Sequence, residues 1–190
     1  IGVRVPTEVD RASDPFAELA TADRLVLACI GKFKRDTKRQ DLLVRAIKLL
    51  GNEFPLTIIF AGDGPNRDKV EMLARTEGVG EHAVFLGNIT HGSVFRLLEG
   101  SDMVLHPSEF EGSSKAIAEA MLYGKPVIAS DIPSIREHIQ DGVTGILAEN
   151  NAASFADKIR ELVLRPALRE RIGNNARAYA THQFDSRRNV

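Results

Sequence analysis

The sequence predicts an α/β domain, a Rossmann-like doubly wound parallel sheet of about six strands with helices on both faces. Two observations carry the prediction. Short apolar runs alternate with amphipathic helical segments from residue 25 to near the end of the chain, and alternation repeated this often implies a parallel sheet whose crossover helices cover both faces. Length and composition permit it, since 190 residues with 43% hydrophobic side chains are ample for one buried core. No low-complexity segment interrupts the pattern, and there is no repeat beyond the strand-helix rhythm.

Residues 1–22 are irregular, punctuated by Gly2, Pro6 and Pro15. They are expected to be a linker entering from another lobe, with residues 23–190 forming the folded lobe itself. The first strand is expected at 25–30, followed by a helix over 40–50 with Leu42, Leu43, Ala46, Leu49 and Leu50 on one face. A second strand at 56–61 runs into the turn Gly62-Asp63-Gly64-Pro65 and a helix ending near Thr76. The third strand, 83–86, leads through Gly87-Asn88-Ile89-Thr90 to a helix at 93–98. Strands at 103–106 and 126–129 flank a helix over 114–123 that stops at Gly124. A short helix at 134–139, a sixth strand at 145–147 and helices at 152–164 and 167–181, split by Arg165-Pro166, complete the chain.

The stretch 108–129 carries the chemistry. Gly112, Ser113 and Ser114 form a small polar loop whose backbone N–H groups can approach a ligand closely, where the new helix presents its unpaired donors and positive dipole end. Glu111 precedes that helix and Glu119 lies inside it, with seven residues between them. An anion held at the helix start, with a carboxylate on each side to accept hydrogen bonds from hydroxyls, suits a sugar attached to a phosphate. In a doubly wound sheet, ligands sit at the carboxyl ends of the strands where the order reverses, between the first and fourth strands. The cation-rich loop 31–39, with Lys32, Lys34, Arg35, Lys38 and Arg39, follows the first strand and is brought to the same crevice.

Charge and cysteine usage exclude other classes. With 25 Lys+Arg against 26 Asp+Glu the net charge is -1, and the cations of the 31–39 loop enclose a single aromatic, Phe33, so nucleic acid is not an expected partner. Cys29 is the only cysteine, which excludes an internal disulfide and fits a reducing, cytoplasmic compartment. No apolar run approaches a membrane span. His82, His91, His106, His138 and His182 lack ligand spacing, so no metal site is expected, and His106 is read as a hydrogen-bonded structural histidine. No Gly-x-Gly-x-x-Gly follows the first strand, where a dinucleotide fold would place it.

Taken in order, Gly31-Lys32, Lys38, Ala61-Gly62-Asp63-Gly64-Pro65, Phe85-Leu86-Gly87, Pro107-Ser108, Glu111 with Glu119-Ala120-Met121, Gly124-Lys125-Pro126-Val127 and Asp141-Gly142-Val143-Thr144-Gly145 resemble the carboxyl-terminal lobe of family-4 retaining glycosyltransferases of the GT-B fold. Eight elements fall at the usual spacing over about residues 25–184. The resemblance implies that Glu111 holds hydroxyls of the transferred sugar and Glu119 those of the ribose. Lys32 and Lys38 would hold the diphosphate, with backbone N–H groups of Ser113, Ser114 and Lys115 around it, and the backbone near Asn88 and Ile89 would border the base. Lys32, Lys38 and Glu111 are thereby the residues expected at the reacting groups.

Three departures stand out: Lys32 where arginine is common, Arg39 where glycine is common, and Gly112-Ser113-Ser114-Lys115 where the family often has Gly-Phe-Gly and an aliphatic residue. Lys115, at the helix start, is expected to add a third cation. The implied reaction is sugar transfer from a nucleoside diphosphate sugar with retention, needing no cofactor and no metal. Acceptor contacts, and any peripheral membrane association, would belong to an amino-terminal lobe absent from these residues, so the chain alone is expected to bind donor without efficient turnover. Seen singly, two glutamates in a helical region form a solvated face and Gly62–Pro65 a tight turn. A sugar-nucleotide epimerase or phosphorylase-type lobe, and a non-catalytic binding module, are the alternatives.

Overall fold

Along β1 (Leu25–Ile30) the side chains alternate between two buried layers, Leu27 and Cys29 joining one and Val26 and Ala28 the other. A strand apolar on both faces must be covered on both, and the computed structural model, which describes residues 24–34, 37–112 and 115–184, shows how. Strands β2 (Leu56–Ala61), β3 (Ala83–Gly87), β4 (Met103–His106), β5 (Val127–Ser130) and β6 (Ile146–Ala148) join β1 in one sheet of order β3-β2-β1-β4-β5-β6. Every pairing is parallel. This is the expected doubly wound fold, and the order reverses between β1 and β4.

One layer is covered by α1 (Gln40–Leu50), α2 (Arg67–Thr76) and α6 (Ala152–Leu164), the other by α3 (His91–Gly100), α4 (Lys115–Leu122) and the single turn α5 (Pro133–Arg136). The final helix, α7 (Pro166–Phe184), closes both, with Ile172 in the first layer and Ala176 and Ala180 in the second. Pro166 opens that helix, where a missing N–H costs nothing. Gly124 ends α4 at φ +67°, and a Cβ on Gly173 would meet its carbonyl oxygen at 2.2 Å. That close approach is how α7 seats against the corner between α4 and β5.

The expected boundaries hold within a few residues, and the exceptions have local causes. Helix α3 begins two residues early because Thr90 caps it, its Oγ1 accepting from Ser93 N at 3.2 Å. The helix expected at 134–139 is only one turn. Leu49, expected on the buried face of α1, is 53% exposed, because Val44 and Ile47 complete the inner face. A single 3-10 turn, Gly80–His82, precedes β3 and was not expected. Residues 1–22, expected to be a linker, lie outside the described residues.

The loops after the strands continue the pairing of the sheet. Gly31 N donates to Ala61 O at 2.9 Å, Phe33 N to Asp63 O at 3.0 Å and Gly62 N to Gly87 O at 2.7 Å. Phe33 is buried against Phe60 and Phe85, with ring centroids 6.1 and 6.3 Å away. Burying such a ring contributes about 2–3 kcal/mol, enough to pin the loop that bears Lys32. Gly62, at φ +141°, permits the approach: a Cβ there would lie 2.1 Å from Gly31 O. Gly62→Ala is therefore expected to lower stability by about 2 kcal/mol or more, measured by urea unfolding. An unchanged midpoint would show that the two loops separate freely.

Candidate functional site

Because β1 and β4 are neighbours, the loops that follow them meet. Lys38 pairs with Ser108 in an isolated antiparallel bridge, Glu109 N donates to Thr37 O at 2.9 Å, and Ser108 Oγ lies 2.8 Å from the same Thr37 carbonyl. Ser108 N in turn donates to Ser130 Oγ at 2.8 Å, and that hydroxyl donates to Asn150 Oδ1 at 3.0 Å, tying the loop to β5. Arg39 braces the outside. Its guanidinium meets Asp41 through Nε and Nη2 at 3.0 and 3.1 Å and pairs with Glu109. The Arg39 cation is thus neutralised by the first turn of α1 and the loop after β4.

At the centre, Lys38 forms an ion pair with Glu111, and His106 Nε2 lies 2.8 Å from the same oxygen, Glu111 Oε2. The side chains of Lys38, Glu111 and His106 are 14%, 13% and 6% exposed. Burial works against the charge of Glu111, but the hydrogen bonds and charges of His106 and Lys38 outweigh it and hold the carboxyl at about 2. Burial likewise pushes the His106 imidazole below its ordinary value; the bond to Glu111 opposes this and the Lys38 charge reinforces it. His106 is hydrogen-bonded, as the sequence suggested, but its partner is a site carboxylate. The only local signal for this was its place at the end of an apolar strand, just before Pro107-Ser108.

Glu119 sits in the middle of α4 with a side chain 9% exposed. Burial raises its carboxyl above the ordinary carboxylate value, against the charges of His91 and Lys115. Among the described residues its carboxyl accepts no hydrogen bond, and its nearest ionic partner is His91 Nε2 at 3.8 Å. His91 opens α3 and packs edge-on against Phe95, with centroids 4.4 Å apart. No sequence pattern joins it to Glu119, since the contact depends on α3 lying beside α4.

Lys32 and Lys115 are exposed, Lys32 on the pinned loop after β1 and Lys115 as the first residue of α4; neither is ion-paired among the described residues. Asn88 and Ile89 follow β3, which has two strands between it and β4, with Ile89 packed against the second layer. Gly112 is exposed beside Glu111, while Ser113 and Ser114 lie outside the described residues. Among the described residues no group of three or more His, Cys, Asp or Glu could hold a metal ion, and no helix is long and apolar enough to cross a membrane. A recess of about 420 Å³ opens at the other end of the sheet, lined by Asp102, Lys125 and Arg169 among others, and none of the expected site residues lines it.

The family model for glycosyl transferases group 1 matches residues 10–179. The chain is 33% identical over 170 residues to the D-inositol 3-phosphate glycosyltransferase of Actinosynnema mirum, which spans 83% of this chain and 40% of that protein. Its structure is similar to that of Anabaena HepE, solved in complex with UDP and glucose, with a TM-score of 0.82 and 26% identity over 90% of this chain and 47% of the other. It is also similar to sucrose-phosphate synthase from Thermosynechococcus elongatus, with a TM-score of 0.83 and 25% identity over 92% and 45% of the two chains. The chain spans about two fifths of the length of the curated relatives it matches.

The two glutamates respond to pH in opposite directions. Glu111, with its folded value lowered to about 2, adds stability that is present above its ordinary range and lost as pH falls toward 2. Glu119, with its value raised, loses stability as pH rises through and above the ordinary carboxylate range. Glu111→Gln should therefore destabilise the fold at neutral pH by about 2 kcal/mol, and Glu119→Gln should stabilise it; both differences should shrink in acid. Urea unfolding of the three chains between pH 3 and 8 checks this, and parallel profiles would contradict it.

Proposed function

From the premise that the chain belongs to the group 1 glycosyl transferases, we propose that it is the donor-binding, carboxyl-terminal lobe of a retaining family-4 glycosyltransferase of the GT-B fold. The enzyme transfers a sugar from a nucleoside diphosphate sugar to an acceptor. One observation carries the reading: Lys38 and Glu111, 73 residues apart in sequence, form a buried pair at the switch point of the sheet, just ahead of the α4 amino terminus.

Each group has a task there. Glu111 is held ionised and accepts hydroxyl protons of the transferred sugar in hydrogen bonds. Glu119 is a buried carboxylate short of donors, and the two hydroxyls of a ribose supply them. The backbone of Asn88 and Ile89 borders the base. As the glycosidic bond breaks, negative charge grows on the leaving diphosphate. Lys32, Lys38, Lys115 and the N–H groups at the start of α4, with those of Gly112, Ser113 and Ser114, stabilise that charge more in the transition state than in the bound donor. Fixed cations and N–H donors give the charge compensation that a metal gives elsewhere, so the reaction needs none. The acceptor is held by a second, amino-terminal lobe, and the chain by itself binds donor without efficient turnover. The complexes of HepE with UDP and with UDP-glucose support a nucleoside diphosphate as the ligand class. We place the protein in the cytoplasm, and the buried Cys29 thiol, pushed up to about 12 by burial, is inert there.

Calorimetric titration with UDP, GDP and ADP tests the proposal. One of them is expected to bind, Glu119→Ala and Lys38→Ala are each expected to weaken binding about tenfold, or about 1.4 kcal/mol, and Lys115→Ala to weaken it less. Binding of none, or full affinity in both main variants, would reject the donor-lobe assignment.

A further inference from the structure

His106 is the last residue of β4, paired with Ala129 of β5 and followed by Pro107, which restricts it to an extended backbone. Its position is therefore fixed by the sheet, and its ring, 6% exposed, meets Glu111 from within the fold. A carboxylate can only accept and a lysine ammonium can only donate. A contact of 2.8 Å between His106 Nε2 and an ionised Glu111 requires the proton to sit on Nε2. Lys38 Nζ, 3.3 Å from the same nitrogen, then cannot be donating to it, and stands beside it as a second donor to Glu111 Oε2. Both donors meet Oε2, and among the described residues none reaches Oε1.

This division of the carboxylate matters because Lys38 has two claims on it. Resting on the donor-lobe reading, which assigns Lys38 to the diphosphate, any movement of Nζ toward that anion weakens its hold on Oε2. We propose that His106 is a positioning residue that keeps Glu111 fixed through Oε2 while Lys38 turns to the diphosphate, leaving Oε1 for the hydroxyls of the transferred sugar. A strand-borne imidazole suits the task, since it has a single proton to offer on Nε2, little rotamer freedom and no charge of its own to compete for the diphosphate.

Two measurements on the full chain test this. Ring ¹⁵N spectra at pH 7.5 should show His106 as the Nε2–H tautomer in the unaltered chain, with weight moving to Nδ1–H in Glu111→Gln, whose amide can itself donate. Calorimetry should show that His106→Phe binds the preferred nucleoside diphosphate within about twofold of the unaltered chain but loses about tenfold for the corresponding sugar nucleotide. His106→Gln, which restores an N–H at similar reach, should recover most of that loss. An Nδ1–H tautomer in the unaltered chain, or equal losses for both ligands in a folded His106→Phe, would overturn the inference while leaving the donor-lobe reading intact. Failure of the unaltered chain to bind any nucleotide would overturn that reading and this inference with it. If His106→Phe does not fold, the tautomer in the unaltered chain and in Glu111→Gln decides.

Discussion

A carboxylate removed from water must be met by donors or give up its charge, and the carboxyl edge of this sheet is built around meeting that need at Glu111. Its two donors come from separate parts of the chain, Lys38 from the loop after β1 and His106 from the end of β4. Lys38 reaches it only because β1 and β4 are adjacent, whereas His106 precedes it by five residues on the same strand and loop. The bridge between Lys38 and Ser108, the Thr37 carbonyl shared by Glu109 and Ser108, and the anchoring of Ser108 through Ser130 to Asn150 all fix that adjacency. The aromatic packing of Phe33 and the close approach allowed by Gly62 hold the neighbouring loop in register with them.

Glu119 shows the other outcome for the same side chain. It is as buried as Glu111 but among the described residues has only a distant histidine for an ion-pair partner, and its carboxyl shifts upward rather than downward. One glutamate is thus satisfied within the fold and the other is left with acceptor capacity. A buried carboxylate without donors is a cost to stability, and retention of such a group at a crevice accords with a site whose donors arrive on a ligand. The pair is an electrostatic asymmetry imposed by environment on two chemically identical residues.

Much of this was legible in the sequence. The six strands, their order of appearance, the glycine stop at Gly124 and the meeting of the 31–39 and 107–112 loops all follow from apolar periodicity and from the rule that ligands gather where a doubly wound sheet reverses. Small errors arose where short-range chemistry decided the outcome, as with the Thr90 cap that lengthens α3, or where several apolar residues competed for one face, as with Leu49. His106 was expected to be hydrogen-bonded, but its partner Glu111 was not named, and the contact of His91 with Glu119 was missed because it joins two different helices.

The sequence by itself determined the class of fold, the loops that meet at the crevice and the family, because alternation of apolar runs is a local property and the motifs sit at fixed spacings along the chain. Only the tertiary structure decided which oxygen of Glu111 is occupied, that Arg39 is neutralised by Asp41 and Glu109, and that Glu119 is left without a hydrogen-bond donor among the described residues. Those outcomes depend on distances of a few ångströms between groups up to 73 residues apart. Such distances are fixed by strand register, loop bracing and burial acting together, and no periodicity in the chain encodes them.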